Sequence, residues 1–209
     1  MLILIHGLGQ TPASWEKTIS QPALSQEAIL CVDLIQLLKD KPVVYDNLYQ
    51  AFSEYCLAMD EPIHLCGLSL GGILALQFAI AHPDKVKSLV LIGIQFVMPE
   101  RLLKLQNIMF RFMPGHLFSK MGFQKKDFIQ LSKSMLKLNF EQNLGKLACP
   151  VLVLCGEKDK VNKTAAVELE RRIPDATLRF VEHAGHEVNV DAPEQLGVIL
   201  SDFIRSVRN

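Results

Sequence analysis

Short runs of consecutive apolar residues, each ending at glycine or a polar residue, alternate along this chain with stretches of helical spacing. The runs are Leu2 to Ile5, Ala28 to Val32, the segment opened by Pro62 and leading to Ser69, and VKSLVLI within Lys85 to Ile92. Apolar runs without polar alternation predict strands buried on both faces. Between them, Tyr45 to Met59 carries Leu48, Ala51, Phe52, Tyr55 and Leu57 to Met59 at helical spacing, and the apolar stretch Ile73 to Ala81 stops just before Pro83. Further on, a strand is predicted over Pro150 to Cys155, a helix over Thr164 to Arg172, a strand over Thr177 to Val181 and an amphipathic helix over about Pro193 to Val207. Such alternation predicts an α/β domain with a parallel sheet and helices on both faces. Sites in such sheets form at the carboxyl ends of strands.

The pattern breaks between Phe96 and Phe140. This stretch holds seven of the eleven Phe, five of the seven Met, and eight Lys or Arg against two Asp or Glu. Pro99, Pro114 and Gly115 divide it into short predicted helices without a strand-like run. An insertion there, between two strands on the carboxyl-end side, forms a helical lid over residues 96–147 of a single domain spanning 1–209. Its Phe96, Met98, Met109, Phe112 and Met113 are the expected apolar substrate lining, because Met and Phe adapt to irregular shapes. The basic excess either attracts acidic substrates or an anionic interface, or is simply the solvated face of the lid.

Bulk properties narrow the class. The 209 residues are 49% apolar with a mean hydropathy of +0.21, which fits one ordered core rather than disorder. Lys plus Arg and Asp plus Glu each number 22, so net charge points to neither nucleic acid nor a membrane surface. No run approaches the ~18 apolar residues of a membrane span, and Met1 to Ile5 lacks the basic start of a signal peptide, so no stable membrane anchor is expected. Five cysteines, an odd number scattered through apolar segments, fit free thiols in a reducing compartment, with the cytoplasm as the default.

The chemistry gathers at predicted strand ends. Gly67-Leu68-Ser69-Leu70-Gly71 fits G-x-S-x-G between a predicted strand and a predicted helix, the setting in which a serine is presented on a strained turn at a helix's positive end. The plainer alternative for Ser69 is a helix N-cap. A serine hydroxyl needs a histidine to take its proton and an acid to orient that histidine. His186 follows the last predicted strand in a glycine-containing loop and is the expected base; His183 is its rival, and its loop position equally fits a solvated surface site. Asp159, just past the Pro150 to Cys155 strand, is the expected acid. Asp33 comes too early in the chain, and Glu157 reads as a surface charge. The order Ser69, Asp159, His186 is that of hydrolases built on a nucleophile elbow. No metal-ligand spacing of His, Cys or carboxylates is present, and no cofactor is expected.

Four segments in order make the chain resemble the α/β-hydrolase fold superfamily over nearly all its length. His6-Gly7-Leu8-Gly9 resembles the loop after that family's third strand, Gly67 to Gly71 its elbow, Gly156 to Asp159 its acid turn, and Ala184-Gly185-His186 its histidine loop. The resemblance implies a three-layer α/β/α fold with a mostly parallel sheet of about six strands, lacking the family's N-terminal hairpin. It also implies an oxyanion hole from the backbone N–H groups of Leu8 and Leu70. The lid is shorter than many in the family. The expected activity is hydrolysis of a small to medium apolar ester or thioester through an acyl-enzyme, by a monomer or homodimer. The alternatives are a carbon–carbon bond hydrolase, lactonase or perhydrolase on the same residues, a membrane-surface lipase, and a non-catalytic receptor or partner-binding module.

Overall fold

The computed structural model describes residues 1–100 and 124–208. Six strands form one sheet: β1 (Leu2–Ile5), β2 (Ile29–Val32), β3 (Ile63–Leu68), β4 (Val86–Ile92), β5 (Val151–Gly156) and β6 (Ala176–Val181). Their order is β2-β1-β3-β4-β5-β6 and every pairing is parallel. The central runs became strands because β1, β3, β4 and β5 are covered on both faces, while the edge strands β2 and β6 are partly exposed. In β1, Ile3 and Ile5 face one layer while Leu2 and Leu4 face the other; in β4, Leu89 and Leu91 oppose Val90 and Ile92.

One layer contains α2 (Leu34–Leu38), α3 (Tyr45–Leu57), α4 (Leu70–Ala81), α5 (Lys125–Ser134) and α6 (Lys163–Arg172). The other holds α1 (Glu16–Ile19), α7 (Val188–Asp191) and α8 (Pro193–Arg208). Helix α4 buries residues all round, which is why it is apolar on every face. Helix α8 buries one face, on which Leu196, Leu200 and Ile204 recur at the i, i+4 spacing of a helix lying on a sheet, with Ser201 beside them.

The sequence pattern missed the short α2. Five residues carry too little periodicity to register, but Asp33 caps it by accepting from the N–H groups of Ile35 and Gln36 at 3.0 and 3.1 Å. Of the expected lid, the described part comprises α5, a 3-10 turn at Glu141–Lys146 and an isolated antiparallel bridge between Val97 and Asn139. Residues 101–123 lie outside the described residues. Among those described, no helix is long and apolar enough to cross a membrane.

The strand order reverses between β1 and β3, so the loops leaving these two strands splay apart above a crevice. The His6–Gly9 loop and Ser69 border it. Close packing brings them together: a Cβ on Gly71 would collide with the Ile5 carbonyl oxygen, so α4 starts directly against the end of β1 only because position 71 is glycine.

Candidate active site

Ser69 stands between β3 and α4 with φ 51° and ψ −115°. That is a conformation which costs a non-glycine residue ~1–3 kcal/mol and which surrounding structure must enforce. The Ser69 N–H donates to the Ile92 carbonyl at 2.9 Å, while the flanking helix and strand hold the turn on either side. Although Ser69 occupies the N-cap position, its side chain caps nothing. The plain N-cap alternative is therefore not what this geometry shows.

Asp159 and His186 come together, as expected. The His186 Nδ1–H donates to Asp159 Oδ2 at 2.8 Å; the acid's side chain is buried and the imidazole is half-exposed. This bond places the proton on Nδ1 and leaves Nε2 with a lone pair for accepting one. The rest of the network holds the carboxylate. Asn162 Nδ2 donates to Asp159 Oδ2 at 2.8 Å, and the Asn162 N–H donates to Oδ1 at 3.3 Å. Burial pushes the Asp159 carboxyl up, but the hydrogen bonds from His186 and Asn162, with the neighbouring imidazole, outweigh it and hold it below the usual carboxylate range.

Gly93 joins the two halves. Ser69 is bonded to Ile92, and a Cβ added to the next residue, Gly93, would lie 3.0 Å from His186 Nδ1 and 3.3 Å from Asp159 Oδ2. Gly93 also has a φ of +57°. The serine turn and the His–Asp pair are thus one residue apart along β4's end, although no Ser69 Oγ–His186 hydrogen bond is formed among the described residues. Catalytic hydrogen bonds commonly tighten only with substrate. Gly93→Ala would press a methyl group on Nδ1 and shift the imidazole by a few tenths of an ångström. Left-handed backbone adds a destabilisation of ~1 kcal/mol, readable as a lower urea midpoint.

The other sequence candidates divide cleanly. Leu70 opens α4, where the first N–H groups have no intrahelical acceptor, and Leu8 is half-buried in the turn after β1. Gly7 brings that turn to the serine: its added Cβ would lie 3.6 Å from Ser69 Cβ. His183 has an 82% exposed side chain and is no part of the cluster. Glu157 is more than a surface charge, because it accepts from the His183 N–H at 3.0 Å and so fixes the turn leading to His186. His6 is structural: Nδ1–H donates to the Gly7 carbonyl at 2.9 Å, and Nε2 accepts from the Leu34 N–H at 3.3 Å. Burial holds its pKa below the ordinary histidine value, against the Gly7 bond and Asp33. Cys155 lies behind Asp159, where burial pushes its thiol up to about 11, so it stays protonated.

Phe96 lines a cavity of about 200 Å³ with Gln95, Val97, Val161, Thr164, Ala165 and Glu168, beside the acid turn. Met98 is packed into the core, with its N–H bonded to the Leu138 carbonyl at 3.1 Å. Met109, Phe112 and Met113 lie outside the described residues. Sequence reasoning missed Asn162 and Gly93. The first sits where a helix N-cap belongs, yet its side chain turns inward to Asp159 and accepts from Gln95 at 2.9 Å. An Asp-x-x-Asn turn before a helix was the available signal.

The pattern defining the Alpha/beta hydrolase family matches residues 2–197. A 2-hydroxy-6-oxononadienedioate/2-hydroxy-6-oxononatrienedioate hydrolase of Paraburkholderia xenovorans is 24% identical, covering 97% of this chain and 86% of that protein. The human monoacylglycerol lipase ABHD6 is 23% identical over 74% of this chain, and the alignment spans 58% of the lipase's length. Among solved structures, MenH from S. aureus superposes with a TM-score of 0.81 at 17% identity, covering 100% of this chain and 94% of that one, a likeness of fold.

Proposed function

Because the chain belongs to the alpha/beta hydrolase family, we propose that it is a serine hydrolase cleaving a carboxylic ester or thioester with a small to medium apolar acyl or aryl group. The observation carrying this reading is the strained Ser69 turn, bonded to Ile92 and set one residue from the His186–Asp159 pair. A structural serine has no need of left-handed backbone, and a structural histidine has no need of a buried carboxylate on Nδ1 with Nε2 left open.

The steps follow from the atoms. Ser69 Oγ attacks the substrate carbonyl while His186 Nε2 takes its proton, and Asp159 holds the resulting imidazolium. The N–H groups of Leu8 and Leu70 receive the negative oxygen of the tetrahedral intermediate, an effect worth ~3 kcal/mol per donor. The intermediate collapses, the carbon–oxygen or carbon–sulfur bond breaks, and His186 returns its proton to the leaving alcohol or thiol. Water, deprotonated by the same imidazole, attacks the acyl-enzyme; the acid leaves and Ser69 regains its proton. Phe96 supplies apolar lining near the acid turn, and the Met- and Phe-rich 96–147 segment is proposed as the lid. Unpaired cysteines, four of the five buried, favour a reducing cytoplasm.

A carbon–carbon bond hydrolase is the second reading, favoured by the Paraburkholderia relative that aligns over nearly the whole chain. The test is labelling of the full chain with a fluorophosphonate, with mass spectrometry to locate the adduct, followed by an ester and thioester chain-length series. An adduct on Ser69 and turnover of short acyl esters are expected. Folded protein without an adduct at Ser69 would sink the reading, and labelled protein that leaves every ester and thioester intact would favour the carbon–carbon alternative.

A further inference from the structure

The loop after β1 and the loop after β6 leave strands four spacings apart in the sheet, about 19 Å at ordinary strand separation. Yet the proposed mechanism needs Leu8 from one and His186 from the other at a single carbonyl. Two buried amides span the gap. Gln10 Nε2 donates to Asn189 Oδ1 at 3.2 Å and Asn189 Nδ2 donates to Gln10 Oε1 at 3.2 Å, a reciprocal pair between residues 7% and 1% exposed.

Each end of this pair is tied to its own loop. Gln10 Oε1 also accepts from the Gly7 N–H at 3.3 Å, and the Gln10 N–H donates to the Gly7 carbonyl at 3.2 Å, bracketing Leu8. Gln10 Nε2 also donates to Glu187, the residue after His186, at 3.0 Å. Ser14 closes the network: its Oγ donates to the Thr11 carbonyl at 2.8 Å, lies 3.3 Å from Gln10 Oε1 and accepts from Asn189 Nδ2 at 3.1 Å. Buried amides are costly unless bonded, and an apolar contact of equal size would allow the loops to slide; two opposed directional bonds do not.

We propose that Gln10 and Asn189 are positioning residues that set the distance between the Leu8 oxyanion donor and His186. The inference rests on the serine-hydrolase reading. They touch neither substrate nor Ser69, and act through the two loops. A purely structural role makes a different prediction, because replacing both amides by apolar groups removes the stranded partner amide without restoring register.

The test uses the full chain with p-nitrophenyl butyrate, after fluorophosphonate labelling of the wild type. Gln10→Leu and Asn189→Leu are each expected to lower kcat ~10–100-fold with KM within about twofold, and to lower Tm, because each strands the partner amide. The double Gln10→Leu/Asn189→Leu variant is expected to regain part of the lost Tm, since neither amide is left without its partner although the Gly7 N–H still loses Gln10, and to keep the low kcat; if the single variants fail to fold, this comparison carries the test alone. Recovery of kcat together with Tm in the double variant would overturn the proposal, as would a loss confined to KM. Wild-type protein without a Ser69 adduct would overturn the serine-hydrolase reading and this inference with it, whereas labelled wild type with unchanged kcat in the variants overturns the inference alone.

Discussion

His186→Ala is expected to reduce kcat for a p-nitrophenyl ester by ~10⁴–10⁶, Ser69→Ala by a similar factor, and the double variant by no more than either single change. The non-additivity follows from the geometry. Without an imidazole Nε2 to accept its proton, Ser69 Oγ is an ordinary alcohol, and without Oγ the base has nothing to activate. KM should change little, since neither group supplies apolar binding surface. Steady-state kinetics on the three proteins measures this, and additive losses would show that serine and histidine act separately. Stability distinguishes a further variant. The Ser69 backbone at φ 51° and ψ −115° is strained for any side chain, so Ser69→Ala retains the strain while Ser69→Gly relieves it. Ser69→Gly is therefore expected to be inactive and more stable by ~1 kcal/mol, read from the urea midpoint. That combination is the mark of a residue kept for chemistry at the expense of stability.

How far this site could be read without coordinates depended on distance along the chain. Strands β1 and β5 were visible as unbroken apolar runs, and β3 as one interrupted only by the buried His64, because both faces of each are buried, and burial on both faces leaves no alternation to confuse. The Ser69 turn was visible because its glycines are local: Gly67, Gly71 and Gly72 lie within three residues of the serine. Asp159 and His186 followed from strand ends once β5 and β6 were placed. What stayed hidden was polar and long-range. Gln10 meets Asn189 across 179 positions, and neither carries a periodicity or a motif. Gly93 looked like an ordinary strand terminator, because only the packing of His186 against it reveals why a side chain there is excluded. Asn162 was hidden by its own position, since an asparagine before a helix is expected to cap it.

The second large effect concerns the acid. Asp159→Asn is expected to lower kcat at neutral pH by ~10⁴, although the side chain keeps its size. The carboxylate can only accept, so it forces the proton onto His186 Nδ1 and leaves Nε2 as the base. An amide offers an N–H in the same place, which is satisfied by the opposite tautomer, with Nε2 carrying the proton and unable to take another from Ser69. Stability reports on the same carboxylate independently of turnover. Burial raises its pKa, but the bonds from His186 and Asn162 prevail and hold it below the ordinary value. A carboxyl whose folded pKa is depressed stabilises the fold above its unfolded pKa, and that contribution is lost as pH falls through the folded one. The urea midpoint of wild type should therefore exceed that of Asp159→Asn at about pH 5, and the margin should close as pH falls below about 4, where unfolded carboxyls begin to hold protons. A gap that persists unchanged at about pH 2 would mean that the substitution acts through packing alone. The charge on Asp159 would then play no part in holding His186 in place.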